Sequence, residues 1–135
     1  MNIILDTHIA IWALNDDPQW TSKARNYILD PNNNIYYSVL SVWEVMLKHA
    51  RRPKEIPFDE YDFSTTCNKA GFYPLNLMEK HVLAVKTLIR SNDIKEHNDP
   101  FDRLLIAQAK VETFSLLTHD ELLKGYNEKC VILVW

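Results

Sequence analysis

Two kinds of apolar pattern alternate along this chain. Short β-branched bursts read as strands: "NIIL" (2–5), "IYYSV" (35–39), "FSLLT" (114–118) and "VILVW" (131–135). "FYPLN" (72–76) reads as a short strand or an extended link. Between them, apolar residues recur at helical spacing. "HIAIWALN" puts Ile9, Trp12 and Ala13 on one face, with Thr7 available as a cap and "DDP" (16–18) as the break. "TSKARNYILD" (21–30) starts at Thr21 or Ser22 and stops before Pro31. "SVWEVMLKHARR" (41–52) has Ser41 as its expected N-cap and Glu44 three residues on. "DEYDFSTTCNKAG" (59–71) stops at Gly71, and "MEKHVLAVKTLIRS" (78–91) is expected to turn Val82, Val85 and Leu88 or Ile89 inward. Residues 92–99 form a polar loop, a helix runs from Pro100 to about Val111, and "DELLKGY" makes a short helical turn.

Strand and helix thus alternate, and the strands are apolar enough to be covered on both faces. That predicts an α/β fold, a doubly wound and mainly parallel sheet of four or five strands with helices on both sides. Residues 1–135 contain no repeat, low-complexity stretch or linker, so a single domain over 1–135 is expected.

Composition narrows the function classes. The hydrophobic fraction of 47% and charged fraction of 24% suit a globular chain. The apolar runs are too short for a membrane span, and "MNIILD" lacks the basic start of a signal peptide. A cytoplasmic protein with no membrane partner is expected. Only Gly71 and Gly125 occur as glycines, which argues against a P-loop or a dinucleotide fingerprint. Cys67 and Cys130 have no metal-finger spacing and read as reduced thiols. A net charge of −3 is too acidic for bulk attraction to nucleic acid. Any such chemistry needs a local basic patch or bound cations.

The acids are placed to supply the second. In an open parallel sheet, sites form at the carboxyl ends of strands. Asp6 ends the first strand, Asp120 follows "FSLLT", and Glu44 lies early in the helix after the second strand. Asp99 and Asp102 open a helix in "HNDPFDRLLIAQA" (97–109); periodicity alone does not bring that helix start to the same end of the sheet. If the acids meet, like charges at about 4 Å repel by about 1 kcal/mol in water and several-fold more when desolvated. A hard divalent cation such as Mg²⁺ converts that repulsion into binding, and such ions polarise phosphoryl oxygens.

Each residue also has a plain structural use. Asp99-Pro100-Phe101-Asp102 is a well-formed helix start, with an N-cap, a proline at the first position and an acid favoured by the dipole. Glu44 can complete a capping box with Ser41, and Asp120 can cap "ELLKGY". Asp6, directly ending a buried strand, is the hardest to explain structurally. His8, His97 and His119 each lie within two residues of an acid. They are open to three uses: mixed zinc or manganese ligation, phosphate contact or proton transfer, and surface capping. His49 and His81 read as ordinary. "KHARRPK" (48–54) is either a solvated helix end or a phosphate-tracking patch. Trp12, Trp20, Trp43 and Trp135 read as core or subunit contacts.

Taken in order, "IILDTHIAIWAL", "SVLSVWEV", "HNDPFDRLLIAQA" and "LLTHDELL" resemble the PIN-domain family, of the VapC-type toxin ribonuclease kind. The resemblance spans most of the chain. It implies a PIN-like parallel sheet, an acidic cleft for Mg²⁺ or Mn²⁺, and endonucleolytic cleavage of RNA. By motif, Asp6, Glu44, Asp102 and Asp120 match the four family acids, and Asp99 looks like an additional metal ligand of the "DPFD" subgroup. Thr7 and Thr118 sit where hydroxyls can support carboxylates, while His97 and His119 depart from the simplest pattern. The likeness also implies a cognate antitoxin protein and a homodimer. Two rivals stand beside it: an inactive PIN-fold module that binds RNA or protein, and an aspartyl-phosphate phosphatase, which the triplet "DTH" in place of DxD disfavours.

Overall fold

The computed structural model describes residues 1–90, 99–126 and 128–134. Strand β1 (Asn2–Leu5) leads into α1 (Thr7–Leu14), then α2 (Ser22–Leu29), β2 (Asn34–Ser38), α3 (Val39–Arg51), α4 (Glu60–Lys69) and β3 (Tyr73–Leu75). Helix α5 (Glu79–Ala84) runs into a 3₁₀ turn, Val85–Thr87. After α6 (Pro100–Glu112) come β4 (Ser115–Thr118), a 3₁₀ turn at Glu121–Gly125, and β5 (Val131–Leu133).

The described strands form one five-stranded sheet in the order β3-β2-β1-β4-β5, with every neighbouring pair parallel. The expected mixed α/β architecture with a parallel sheet is therefore correct. The first strand lies in the middle. The chain builds outward through β2 to β3, crosses back, and lays β4 on the other side of β1. That reversal opens a crevice beyond the carboxyl ends of β1 and β4, where parallel sheets place their sites.

Side-chain alternation explains why β1 is central. Ile3 and Leu5 face a core shared with Ile9, Ala24, Val45, Phe63, Cys67 and Leu117. Ile4 faces the other way, onto Leu105, Ile106, Ala109, Leu116 and Leu123. All three β1 side chains are fully buried. Helices α1, α3 and α4 contribute to the first cluster and α6 to the second, so the two faces are covered as the apolar runs required.

Three local expectations need correction. Helix α3 starts three residues earlier than expected: Ser38 is the N-cap in place of Ser41, its Oγ accepting from Leu40 N, and Ser41 lies inside the helix. Buried Ser41 Oγ instead meets Thr7 Oγ1 at 2.8 Å, so Glu44 completes no capping box. Thr7 is itself the first residue of α1 rather than its cap. The helix expected over 78–91 ends at Ala84. Within the helix His81 is the buried residue and Val82 is exposed; beyond it Leu88 packs partly buried against the second core cluster, as expected, while Ile89 is exposed. Of the tryptophans, Trp20 is buried but Trp43 is half-exposed, and Trp135 lies outside the described residues.

Candidate active site

The crevice is built from four elements. The β1 ladder carries one residue past the strand, with Asp6 N donating to Leu117 O at 2.9 Å. This buries the Asp6 carboxylate, whose Oδ2 accepts from the Thr118 hydroxyl at 2.7 Å. At the tip of β4, Thr118 Oγ1 also accepts from Asp120 N, and Asp120 Oδ1 caps the following 3₁₀ turn at Leu122 N. Helix α3 supplies Glu44, which is only 7% exposed. The crossover delivers the head of α6. There Asp99 Oδ1 accepts from Phe101 N at 2.9 Å and Asp102 N at 3.3 Å, with Pro100 at the first helical turn. The Phe101 ring meets Trp43 edge-on at 5.1 Å, fastening the head of α6 to α3.

One cavity of about 200 Å³ gathers these residues: Asp6, His8, Glu44, Lys48, Asp99, Asp102, His119 and Asp120 line it. The five acids singled out by sequence therefore share one space, and capping by Asp99 and Asp120 coexists with that placement. His97 lies outside the described residues.

The electrostatics are strained. Burial pushes Asp6 up to about 6, against the opposing hydrogen bond from Thr118, and Glu44 adds repulsion. Asp102 is pushed up to about 8, first by burial and then by Asp6, Asp99, Glu44 and Asp120. At neutral pH Asp102 is thus mostly protonated, although the start of a helix ordinarily favours a carboxylate. His8 is held below its ordinary value by burial and by Lys48, and His119 by burial. The His119 ring packs against Trp12 at 4.5 Å and edge-on to His8 at 5.5 Å.

Lys48 is the feature that sequence reading underrated. Its Nζ lies 3.0 Å from Glu44 Oε2 and 3.3 Å from His8 Nε2. The four-residue offset from Glu44 was the available signal. One ammonium only partly offsets five acids, so the cavity remains net negative.

The donor chemistry fits a hard divalent cation. Carboxylate oxygens dominate the lining, and burial together with mutual repulsion raises two of the acids. Among the described residues no group of three or more acid, histidine or cysteine side chains stands close enough together to hold a metal ion as placed. Thr118, Lys48 and the helix-capping bonds hold the carboxylates in their separate places.

A PIN domain family model matches residues 3–129. The chain belongs to the PIN domain family. Its PIN fold is similar to a chain of VapBC2 from Rickettsia felis, solved bound to a DNA fragment from their promoter, at 19% identity and a TM-score of 0.64, covering 98% of this chain and 97% of that one. It is also similar to a chain of a toxin–antitoxin complex from Klebsiella pneumoniae, at 15% identity and a TM-score of 0.63, covering 98% of each chain. FitAcB from Neisseria gonorrhoeae gives 17% identity and a TM-score of 0.54, again over 98% of both. At these identities the likeness is one of PIN fold. No curated protein sequence matches. Among the described residues no helix is long and apolar enough to cross a membrane.

Proposed function

We propose that this chain is an endoribonuclease that hydrolyses RNA phosphodiester bonds with Mg²⁺ or Mn²⁺ in the acidic cavity. The observation that supports the reading is the meeting of Asp6, Glu44, Asp99, Asp102 and Asp120 in one cavity at the sheet's switch point. Membership of the PIN domain family agrees with it.

In this reading Asp6, Asp102 and Asp120 would hold the cation, with Glu44 and Asp99 at the edge of the same ligand set. Bound there, the cation supplies neutralising charge and Lewis acidity toward a phosphoryl oxygen. The chain's own groups do the rest. Thr118 fixes the Asp6 carboxylate by donating to Oδ2, and the Asp99 cap fixes the first turn that carries Asp102. Glu44, buried and paired with Lys48, is placed to orient a water or accept its proton. Asp102 must give up its proton for the ligand set to form, so cation binding and proton release are linked. No covalent intermediate on the protein is required.

The reading extends to partners. One similar solved structure is a toxin–antitoxin complex, and we propose two partners for this chain: a protein antitoxin that covers the cleft, and a second copy of the chain, as the PIN-domain resemblance implies. The test is to incubate purified chain with total RNA and Mg²⁺ or Mn²⁺ and map the new ends. Parent protein is expected to cut and Asp6→Asn to be inert while still folded. Cutting by Asp6→Asn at the parent rate overturns the proposal. Metal-independent RNA binding without turnover favours a non-catalytic module instead.

A further inference from the structure

The acidic cavity has a basic neighbour. A second cavity, of about 360 Å³, is lined by His8, Lys48, Arg51, Arg52, Glu55 and Ile56. His8 and Lys48 line both cavities, so the two adjoin across that pair. The charge changes sign across it: five acids lie on one side, and three cations against Glu55 on the other.

The cations are differently engaged. Lys48 turns toward Glu44 and His8. Arg52 makes only a loose contact with Glu55, 3.4 Å between Nη1 and Oε2, with its side chain 71% exposed. Arg51 has no ion pair or hydrogen bond to any described residue and is exposed. A plain explanation exists, since basic residues favour a helix carboxyl end. That preference accounts for the residue types. It does not account for a concavity that opens beside the acid cavity and shares two walls with it.

We propose that the Lys48–Arg51–Arg52 cavity is a subsite for a backbone phosphate of single-stranded RNA, adjoining the phosphodiester that lies in the acidic cavity. This rests on the ribonuclease reading for the identity of the strand. Guanidinium groups present paired N–H donors that match phosphate oxygens, and an uncommitted Arg51 needs to break no existing pair to do so. His8, between the cavities, flanks the path of the chain. The arrangement answers how a protein of net charge −3 holds a polyanion beside five acids: the strand is anchored where the surface is positive.

The test measures binding apart from cleavage. A labelled single-stranded RNA oligonucleotide is titrated in EDTA over a range of salt, using the parent, R51Q/R52Q, and K69Q/K129Q. The last removes the same charge at the opposite end of the strands, ahead of β3 and β5. R51Q/R52Q is expected to weaken binding about tenfold at low salt. It should also flatten the dependence of log Kd on log salt by about 0.7 or more, as loss of a phosphate contact requires. K69Q/K129Q should leave both near the parent. Circular dichroism should show unchanged folding, because the substituted arginines are exposed. Equal losses in both double variants, or no change in R51Q/R52Q, overturn the subsite. The two proposals fail separately. If the chain cuts RNA but R51Q/R52Q binds and cuts like the parent, only the subsite is wrong. If no cutting occurs but R51Q/R52Q loses RNA, the subsite stands and the ribonuclease reading falls.

Discussion

Helix α6 carries an acid in its first turn and another in its last, and the two are treated in opposite ways. Helix electrostatics favours Asp102 at the amino end and disfavours Glu112 at the carboxyl end. The structure reverses both preferences. Asp102 is pushed up to about 8 by burial and by four neighbouring carboxylates. Glu112 is held below its ordinary value by hydrogen bonds from His81 and Lys80. The His81 arrangement is complete: Nδ1 accepts from Met78 N at 3.0 Å, so Nε2 carries the proton it donates to Glu112 Oε1 at 2.9 Å. One acid is satisfied within the fold and ties α5 to α6. The other lines the acidic cavity, where burial and four neighbouring carboxylates oppose its ionisation. Surroundings, more than position on the helix, set how readily each acid ionises.

Activity should separate the two ends most sharply. Asp102→Asn is expected to lower RNA cleavage about a thousandfold or more, while Glu112→Gln stays within about twofold of the parent. Time courses with a defined oligonucleotide check this. Comparable losses at both positions would erase the distinction.

Stability against pH should separate them next. For Asp102 and Asp6 the folded values lie above the unfolded ones, so the native state binds more protons. Their penalty is absent below about pH 4 and grows as pH rises, until about 6 for Asp6 and about 8 for Asp102. Cation-free protein should therefore lose on the order of a few kcal/mol between pH 5 and 9, and Asp102→Asn should lose less. Glu112 has the opposite sign. Its contribution is full above its unfolded value and is lost as pH falls through the lower folded one. Urea melts in EDTA at several pH values read both signs. A parent whose stability rises from pH 6 to 9 contradicts the account.

A divalent cation should relieve the strained end alone. Mg²⁺ or Mn²⁺ at about a hundred times its dissociation constant should stabilise the parent by about 2.7 kcal/mol, more at pH 8.5 than at pH 5.5. The gain should vanish in Asp102→Asn and persist in Glu112→Gln. The smallest effect belongs to the satisfied end. Glu112→Ala leaves the buried His81 N–H without its acceptor and should cost about 1–3 kcal/mol, with cation binding unchanged.

Much of this was legible from residue patterns, and the exceptions have physical causes. β1 and β4 announced themselves because both faces are buried, leaving unbroken apolar runs that end at Asp6 and Thr118. The start of α6 was legible because Asp99-Pro100 follows local capping rules, but its delivery to the carboxyl end of the sheet depends on a crossover that no local pattern encodes. Ser38 displaced Ser41 as the α3 cap because "SVLSV" offers two serines at candidate helix starts, and only tertiary packing against Thr7 buries the second. His81 was passed over as ordinary, since its acceptor Glu112 is 31 residues away. Lys48 was legible as a member of a basic run, but not as the ammonium standing between Glu44 and His8.

The central claim is that the carboxylates gathered around Asp6 and Asp102 cut RNA with a divalent cation. Its most direct test compares end-mapped cleavage by parent, Asp6→Asn and Asp102→Asn in Mg²⁺ or Mn²⁺ and in EDTA. The account predicts discrete new ends only with parent protein and added cation. Equal cleavage in EDTA, or by either variant, would contradict it.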